Sequence, residues 1–329
     1  MIQTFFQESL GKKKKNMKKL LICIVILCLA FGLVACDGLR VDPREDGVVT
    51  IVTTSFAAYD FARQLTVGAP EGSVDLILLG KTGQDMHDFE PSAADITTIG
   101  RADLLVAVGN EAWLDAAVKS AQNSALVRVD MMTACETLVE SGHDCDHDHE
   151  ENDATPLNAA DEHVWLSTEN AEHIVAAMGA ALVSIDAANA PLWETNLATY
   201  TARLQALTAD FAAMRAGAVR DTLVIADRYP FAYLVHQLDL HCYAAFPGCS
   251  SETSASFETQ TMLIEKTREL GLPYIFVIEG SDGKVAGVVA AESGAEILTL
   301  DSVQVVTDRE KTYIGIMRKN LEELKKALY

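Results

Sequence analysis

Apolar, β-branched runs alternate with helical segments in two separate blocks of the chain, a pattern typical of parallel β-sheets. In the first block, VVTIVTT, VDLILLG, ADLLVAVG and ALVRVD are predicted strands, and SAADITTIGR and EAWLDAAVKSAQ are predicted helices. In the second block, DTLVIAD, YIFVIEG and EILTLDS are predicted strands. The predicted fold class is α/β, with two lobes that are each a parallel sheet flanked by helices.

A long helical stretch separates the two blocks. Its second helix is predicted to begin near Pro191 and to end near Gly217. About 27 helical residues span roughly 40 Å, a length that suits a stiff helix joining two lobes. We therefore predict an N-terminal lobe over residues 48–166, a helical linker over 167–218 and a C-terminal lobe over 219–329.

The N-terminus has the composition of a secretory signal. The basic run KKKKNMKK precedes the apolar segment Leu20–Ala35, which is slightly short for a transmembrane anchor, the alternative interpretation. The sequence LVAC, which ends at Cys36, looks like a bacterial lipobox, in which the cysteine is lipidated after cleavage. We expect a signal peptide over residues 1–35 and a tether over 36–47.

A lipid on Cys36 would hold the protein at the extracytoplasmic face of the cell membrane. Translation begins at either Met1 or Met17, since MKKLL, which begins at Met17, is by itself a complete basic N-terminal region of a signal peptide. In that compartment, Cys242 and Cys249 could form a disulfide across a short loop.

Imidazole and carboxylate groups are concentrated in one loop. The run HDCDHDHE at 143–150 cannot be buried, because unpaired charges resist transfer into a core, and it lies in a non-periodic stretch over 141–162. It is either a polar, acidic linker or a metal-binding tract, and its histidine content favours metal binding. The candidate metal-collecting residues are His143, His147 and His149. The net charge of -21 suits attraction of cations and argues against a nucleic-acid partner.

Two further histidines lie where α/β proteins place their ligands. His87 lies in GQDMHDFEPS, after a predicted strand, and His163 lies in DEHVWLS, at the end of the acidic loop. Loops that follow the carboxyl ends of parallel strands form the ligand crevice of such sheets. A single histidine is more often an ordinary surface or core residue, but two in corresponding loops favour a metal site.

The motifs MHDFEPS and DEHVWLS, the His-rich loop between them, the long central helix and the lipobox resemble the substrate-binding lipoproteins of bacterial zinc and manganese ABC importers. The resemblance extends over essentially the whole chain after Cys36, including FPGCSSETSASFET and TYIGIMRKNLEELKKAL. It implies two lobes joined by a rigid helix, with one metal ion in the cleft and ligands from both lobes. It also implies a receptor, without a catalytic step, that delivers its ion to a membrane permease and its ATPase.

The resemblance implies that His87 and His163 correspond to the first two metal ligands of the family, and that Asp301 corresponds to the fourth. The third position, a His or Glu in the family, holds Arg228 in the segment RYPFAY. A guanidinium has no lone pair to offer a cation, so the third ligand must differ from that of the family.

Several groups are candidates to replace the third ligand. Water or Asp227 ranks first, Cys249 ranks next because a thiolate suits Zn²⁺, and the His-rich loop offers its imidazoles. Arg228 would then be a cleft residue that does not ligate the ion, paired with a carboxylate such as Glu252 or Asp301.

Two imidazoles and one carboxylate suit Zn²⁺, whereas Mn²⁺ prefers more oxygen ligands. In the resembled family a His-rich loop accompanies zinc proteins, and here it would raise the local Zn²⁺ concentration. We expect a monomeric zinc receptor, not an enzyme. The alternatives are a manganese receptor of the same class, a cell-surface adhesin lipoprotein and a zinc hydrolase. The sequence has no HExxH motif, and Glu162 beside His163 could be proposed as the base of a hydrolase but is equally a solvated loop carboxylate.

Overall fold

Each block of alternating strands and helices forms one parallel, four-stranded sheet in the computed structural model, which confirms the predicted fold class. The structure describes residues 47–80, 84, 87, 89–135, 161–246, 248, 255–305 and 308–329. Both sheets belong to a single compact unit, Arg44–Tyr329. The predicted signal peptide lies outside the described residues.

The first sheet contains the four strands predicted for the first block. They are β1 (Val49–Thr53), β2 (Val74–Leu78), β3 (Leu104–Ala107) and β4 (Val127–Asp130). Their order is β2-β1-β3-β4, and all neighbours are parallel. The helices are α1 (Phe56–Leu65), α2 (Ala93–Arg101) and α3 (Leu114–Ala121). The side chains of Ser92 and Asp95 cap the start of α2 reciprocally, which fixes where the chain turns after the loop that carries His87.

Two long helices follow, α4 (Thr168–Ile185) and α5 (Ala190–Gly217). The Ser167 hydroxyl accepts a hydrogen bond from the Asn170 amide and begins α4. Helix α5 has 28 residues, close to the predicted length. Its buried side chains recur at helical spacing: Trp193, Tyr200, Leu204, Leu207, Phe211 and Met214. Within the described residues, none of the helices combines the length and apolar composition that crossing a bilayer requires.

The second sheet has the same strand order as the first. Its strands are β5 (Thr222–Arg228), β6 (His241–Phe246), β7 (Tyr274–Ile278) and β8 (Glu296–Leu300). Their order is β6-β5-β7-β8, again parallel throughout. The helices are α6 (Ala232–Gln237), α7 (Phe257–Glu269), α8 (Lys284–Ser293) and α9 (Tyr313–Leu328).

Strand β6 was not among the predicted strands. The prediction for this region was a possible disulfide between Cys242 and Cys249. In the structure, Cys242 is fully buried within β6, whereas Cys249 lies outside the described residues. The disulfide therefore stays a prediction.

One continuous apolar core extends from the first sheet through α4 and α5 to the second sheet. Its buried members include Phe61 of α1, Trp193 and Phe211 of α5, Phe276 of β7 and Met317 of α9. The outer face of each sheet has a smaller core, against α2 and α3 in the first lobe and α7 and α8 in the second. Both sheets are thus covered by helices on both faces, as is usual for parallel sheets.

Polar contacts, one of them fully buried, also join the two lobes. The carboxylate of Asp60 on α1 is fully buried, and it accepts hydrogen bonds from the Tyr313 amide at the start of α9 (2.6 Å) and from Arg63 Nη2 (2.6 Å). Arg63 donates in turn to the main-chain oxygens of Arg309 and Lys311. The first turn of α9 is therefore held by a charged group of the N-terminal lobe.

Candidate metal centre

The two histidines of the predicted site lie close together. His87 lies in the loop between β2 and α2, and His163 begins a short 3₁₀ turn, Val164–Leu166, that leads into α4. The centroids of their rings are 5.8 Å apart. The His87 side chain is 31% exposed and that of His163 only 3%, so an ion held between them would remain reachable from one side.

Glu162 completes a group of three potential ligands with these histidines. Its Oε1 lies 2.8 Å from His87 Nδ1, and its Oε2 accepts a hydrogen bond of 2.6 Å from Asn110 Nδ2. One ligand atom from each of His87, Glu162 and His163 lies within 4.8 Å of the others. Among the described residues, this is the one group of three or more His, Cys, Asp or Glu side chains with such spacing.

The surroundings of Glu162 favour its ionised form. Burial by itself raises the pKa of this carboxyl, but the hydrogen bond and charge of His87, the charge of His163 and the Asn110 amide together hold the pKa below its usual value. A carboxylate that stays ionised beside two imidazoles is a suitable donor set for a borderline cation such as Zn²⁺.

Asp161 fixes the orientation of His163. Its Oδ1 lies 3.1 Å from His163 Nδ1 and also accepts the His163 main-chain amide at 2.8 Å. The Asp161 main-chain oxygen accepts a 2.7 Å hydrogen bond from the Tyr233 hydroxyl. When Nδ1 donates to Asp161, the lone pair resides on Nε2, which is then the nitrogen available to an ion. A carboxylate behind a ligating histidine also raises the basicity of its ring.

Asp301 lies at the end of β8 and is not a member of the group of three. Its Oδ1 accepts the Val303 amide at 2.9 Å, and its own amide donates to Asn320 Oδ1 at 2.8 Å. Burial raises the pKa of Asp301. Burial and the nearby Asp301 also raise the pKa of Glu279 to about 7. Two carboxyls in one buried place resist simultaneous ionisation.

The loop after β8 contacts the turn that carries His163. Trp165 Nε1 donates to the Ser302 main-chain oxygen at 2.9 Å, and the Tyr313 hydroxyl donates to the Trp165 main-chain oxygen at 2.7 Å. Glu279 accepts both the amide and the hydroxyl of Ser302. Val303, fully buried, adopts a φ of 60°, which is strained for a β-branched residue. The loop is thus held firmly against the N-terminal lobe.

Arg228 and Asp227 lie at the end of β5 and do not join the group of three. Asp227 Oδ1 accepts the Arg228 amide at 2.8 Å. Asp227 Oδ2 is buried without a hydrogen-bond partner among the residues that the structure describes. Neither the substitution of Asp227 for the third ligand nor the pairing of Arg228 with a carboxylate follows from these contacts, and both stay predictions.

Several predicted site residues lie outside the described part of the chain. They are Cys36, His143, His147, His149, Cys249 and Glu252. Conversely, Glu162 was predicted only as the base of a hydrolase or a solvated loop carboxylate, and Asp161 was not among the predicted site residues. The signal that could have found Glu162 is its position directly before His163, combined with an arginine, which cannot bind a cation, at position 228.

The sequence profile of a family described as zinc-uptake complex component A, periplasmic (ZnuA), matches residues 51–327. The zinc-binding protein AdcA of Streptococcus pyogenes serotype M1 is 28% identical over 322 residues, which cover 94% of this chain and 61% of that protein. The zinc-binding lipoprotein AdcA of Streptococcus pneumoniae serotype 4 is 28% identical over 321 residues, with the same coverage. The chain thus spans about three fifths of the length of these curated relatives.

Solved structures share the two-lobe fold. The metal-dependent lipoprotein YcdH of Bacillus subtilis superposes with a TM-score of 0.70 at 28% identity, covering 85% of this chain and 100% of that one. The Zn(II)-bound ZnuA-like domain of S. pneumoniae AdcA has a TM-score of 0.68 at 24% identity, covering 86% and 99%. The laminin-binding adhesin Lmb of Streptococcus agalactiae has a TM-score of 0.72 at 19% identity, covering 85% and 100%. At such low identities the last two show the fold alone.

Proposed function

The chain belongs to the family of periplasmic zinc-uptake complex component A proteins, and on this premise we propose that it is an extracytoplasmic receptor that captures Zn²⁺ for an ABC importer. The observation that carries the proposal is the placement of His87 and His163 with their rings 5.8 Å apart. They lie beside an ionised carboxylate in the fold that this family uses. Zn²⁺ is the transported substrate, and its delivery to the permease and ATPase involves no chemical step at this site.

The donor set supports Zn²⁺ over Mn²⁺. Zn²⁺ binds readily to two imidazole nitrogens and a carboxylate and completes a tetrahedron with one more ligand. Mn²⁺ prefers a larger number of oxygen ligands than the described residues around His87 and His163 offer. In this proposal the family's fourth ligand, Asp301, approaches the ion from the C-terminal lobe.

Lipid attachment at Cys36 would keep the receptor beside its permease. The lipobox supports this part of the proposal, and the S. pneumoniae relative is named a lipoprotein. In solution we expect a monomer, and the His-rich loop would gather Zn²⁺ near the site through weak imidazole contacts.

The test is calorimetric titration of the metal-stripped full chain in mild detergent with Zn²⁺ and then Mn²⁺. Its variants are His163→Ala and, as a matched control, His173→Ala, since His173 is an exposed residue of α4 outside the group of three. We expect one tight Zn²⁺ site that His163→Ala removes and His173→Ala retains. Tight Mn²⁺ binding with weak Zn²⁺ binding would indicate a manganese receptor, and no tight site for either ion would favour the adhesin alternative.

A further inference from the structure

The resemblance to the zinc and manganese receptors implies that the family's third metal ligand is missing from its usual position in this chain. Arg228 occupies that position, and its permanently cationic guanidinium repels an ion rather than binding it. Protein sites for Zn²⁺ generally use at least three side-chain ligands, with water in the fourth place when the site is open. His87, His163 and Asp301 remain from the family pattern, and the vacant place is open to water or to a donor from another residue.

The described carboxylates of the C-terminal lobe are poorly placed for this role. Asp227 Oδ1 accepts the Arg228 amide and Asp301 Oδ1 accepts the Val303 amide, which leaves the second oxygen of each carboxylate for another contact, so their distance from the histidines decides the matter. Neither residue belongs to the group whose ligand atoms lie within 4.8 Å of one another. Within the described chain, Glu162 is the carboxylate that lies with both His87 and His163.

The Glu162 side chain is also held in a position suited to ligation. Asn110 Nδ2 fixes Oε2 at 2.6 Å, and His87 Nδ1 lies 2.8 Å from Oε1. Each carboxylate oxygen has two lone-pair sites, so these contacts leave capacity for an ion. Bonds of about 2.1 Å in a tetrahedral site require ligand atoms about 3.4 Å apart, a spacing that falls within the 4.8 Å limit that this group satisfies.

We propose that Glu162 is the third protein ligand of the transported ion and replaces the family ligand lost at position 228. The inference rests on the proposed receptor function and specifies its site. Two loops of the N-terminal lobe then supply a His₂Glu set, and the fourth place remains for water or for Asp301. Metal capture in this chain thus depends on the N-terminal lobe to a degree that the family pattern does not predict.

The test compares the full chain with Glu162→Gln and with Glu169→Gln, a matched change at an exposed glutamate in the first turn of α4. Zn²⁺ affinity is measured by competition with a chromophoric chelator. The ligand set is read from the visible absorption of the Co²⁺-loaded protein, and thermal unfolding checks that each variant is folded. We expect Glu162→Gln to weaken Zn²⁺ binding at least about 100-fold and to change the Co²⁺ spectrum, with Glu169→Gln unchanged, because loss of a direct ligand exceeds the roughly 10–100-fold effect of an outer-shell partner.

Three results would overturn the inference. A folded Glu162→Gln protein with wild-type affinity would show that Glu162 is not a ligand. A weakened affinity with an unchanged Co²⁺ spectrum would make Glu162 a residue that positions His87 instead. If the unaltered chain itself binds no Zn²⁺ tightly, the proposed receptor function fails as well, which separates that failure from the first two.

Discussion

Replacing Asp161 by alanine is expected to weaken Zn²⁺ binding about 10- to 100-fold, the range for the loss of a carboxylate behind a ligating histidine. Asp161 Oδ1 contacts both His163 Nδ1 and the His163 amide, at 3.1 and 2.8 Å. The side chains of Asp161 and His163 are only 5% and 3% exposed, so water does not readily replace the lost acceptor. At about 1.4 kcal/mol for each tenfold change, the loss corresponds to about 1.4–2.8 kcal/mol of binding free energy.

The assay is competition for Zn²⁺ between the metal-stripped protein and a fluorescent chelator at fixed pH. Asp161→Asn is the informative companion, because its amide oxygen still accepts a hydrogen bond while the charge is lost, and we expect an intermediate affinity. Asp210→Ala, an exposed partner of Arg318, serves as the control and is expected to bind like the unaltered protein. A folded Asp161→Ala protein whose affinity stays within twofold of the unaltered chain would refute the argument that Asp161 orients His163.

Three further predictions concern stability. Asp60→Ala leaves the buried Tyr313 amide without its acceptor and is expected to lower the free energy of unfolding by about 3 kcal/mol, measured by urea denaturation. Trp165→Phe removes the hydrogen bond to Ser302 and is expected to cost about 2 kcal/mol in the same assay. Glu279 binds its proton more tightly when folded, since its pKa is raised from 4.5 to about 7. Its contribution to stability is therefore fully present below pH 4.5 and declines up to about pH 7. Between these values the free energy of unfolding falls with pH, and Glu279→Gln should reduce that slope by at most about 1.4 kcal/mol per pH unit.

Each of these predictions has a contradicting result. For Asp60→Ala it is a free energy of unfolding within 0.5 kcal/mol of the unaltered protein, about the range expected of ordinary surface changes. For Trp165→Phe it is unchanged stability, which would mean that the Ser302 carbonyl finds another donor. For Glu279 it is the same pH slope in the unaltered and Gln proteins between pH 4.5 and 7.

The strands that were predicted correctly have clear local sequence patterns, whereas β6 has none. VVTIVTT and DTLVIAD combine β-branched residues with buried runs, and Ser92 marks the start of α2 by its own side chain. The segment HCYAAF has no β-branched residue and begins with an exposed histidine. It becomes a strand because it pairs with β5 at the sheet edge, which is a tertiary contact.

The site was partly accessible from the sequence for a similar reason. His87 and His163 each lie beside a recognisable motif, and the structure brings their rings near each other, although their role as ligands remains a proposal. Glu162 carries no such motif, and its relation to His87 depends on how two distant loops meet. The contacts of Asp301 with Val303 could not be read from the sequence either, since they depend on the path of the backbone after β8.

If His163 binds the ion as proposed, the three-residue turn after it links ion binding to the separation of the lobes. Trp165, two residues beyond the proposed ligand, is bonded through its ring to Ser302 and through its main chain to Tyr313, both in the C-terminal lobe. Moving the lobes apart must either break these bonds or pull the turn, and His163 with it, away from the ion. By thermodynamic reciprocity, an ion bound at His163 makes lobe separation less favourable. The free energy involved equals the loss of ion-binding free energy that lobe separation causes. In the proposed receptor, a membrane partner that moved this turn while separating the lobes would weaken ion binding without contacting the ligands.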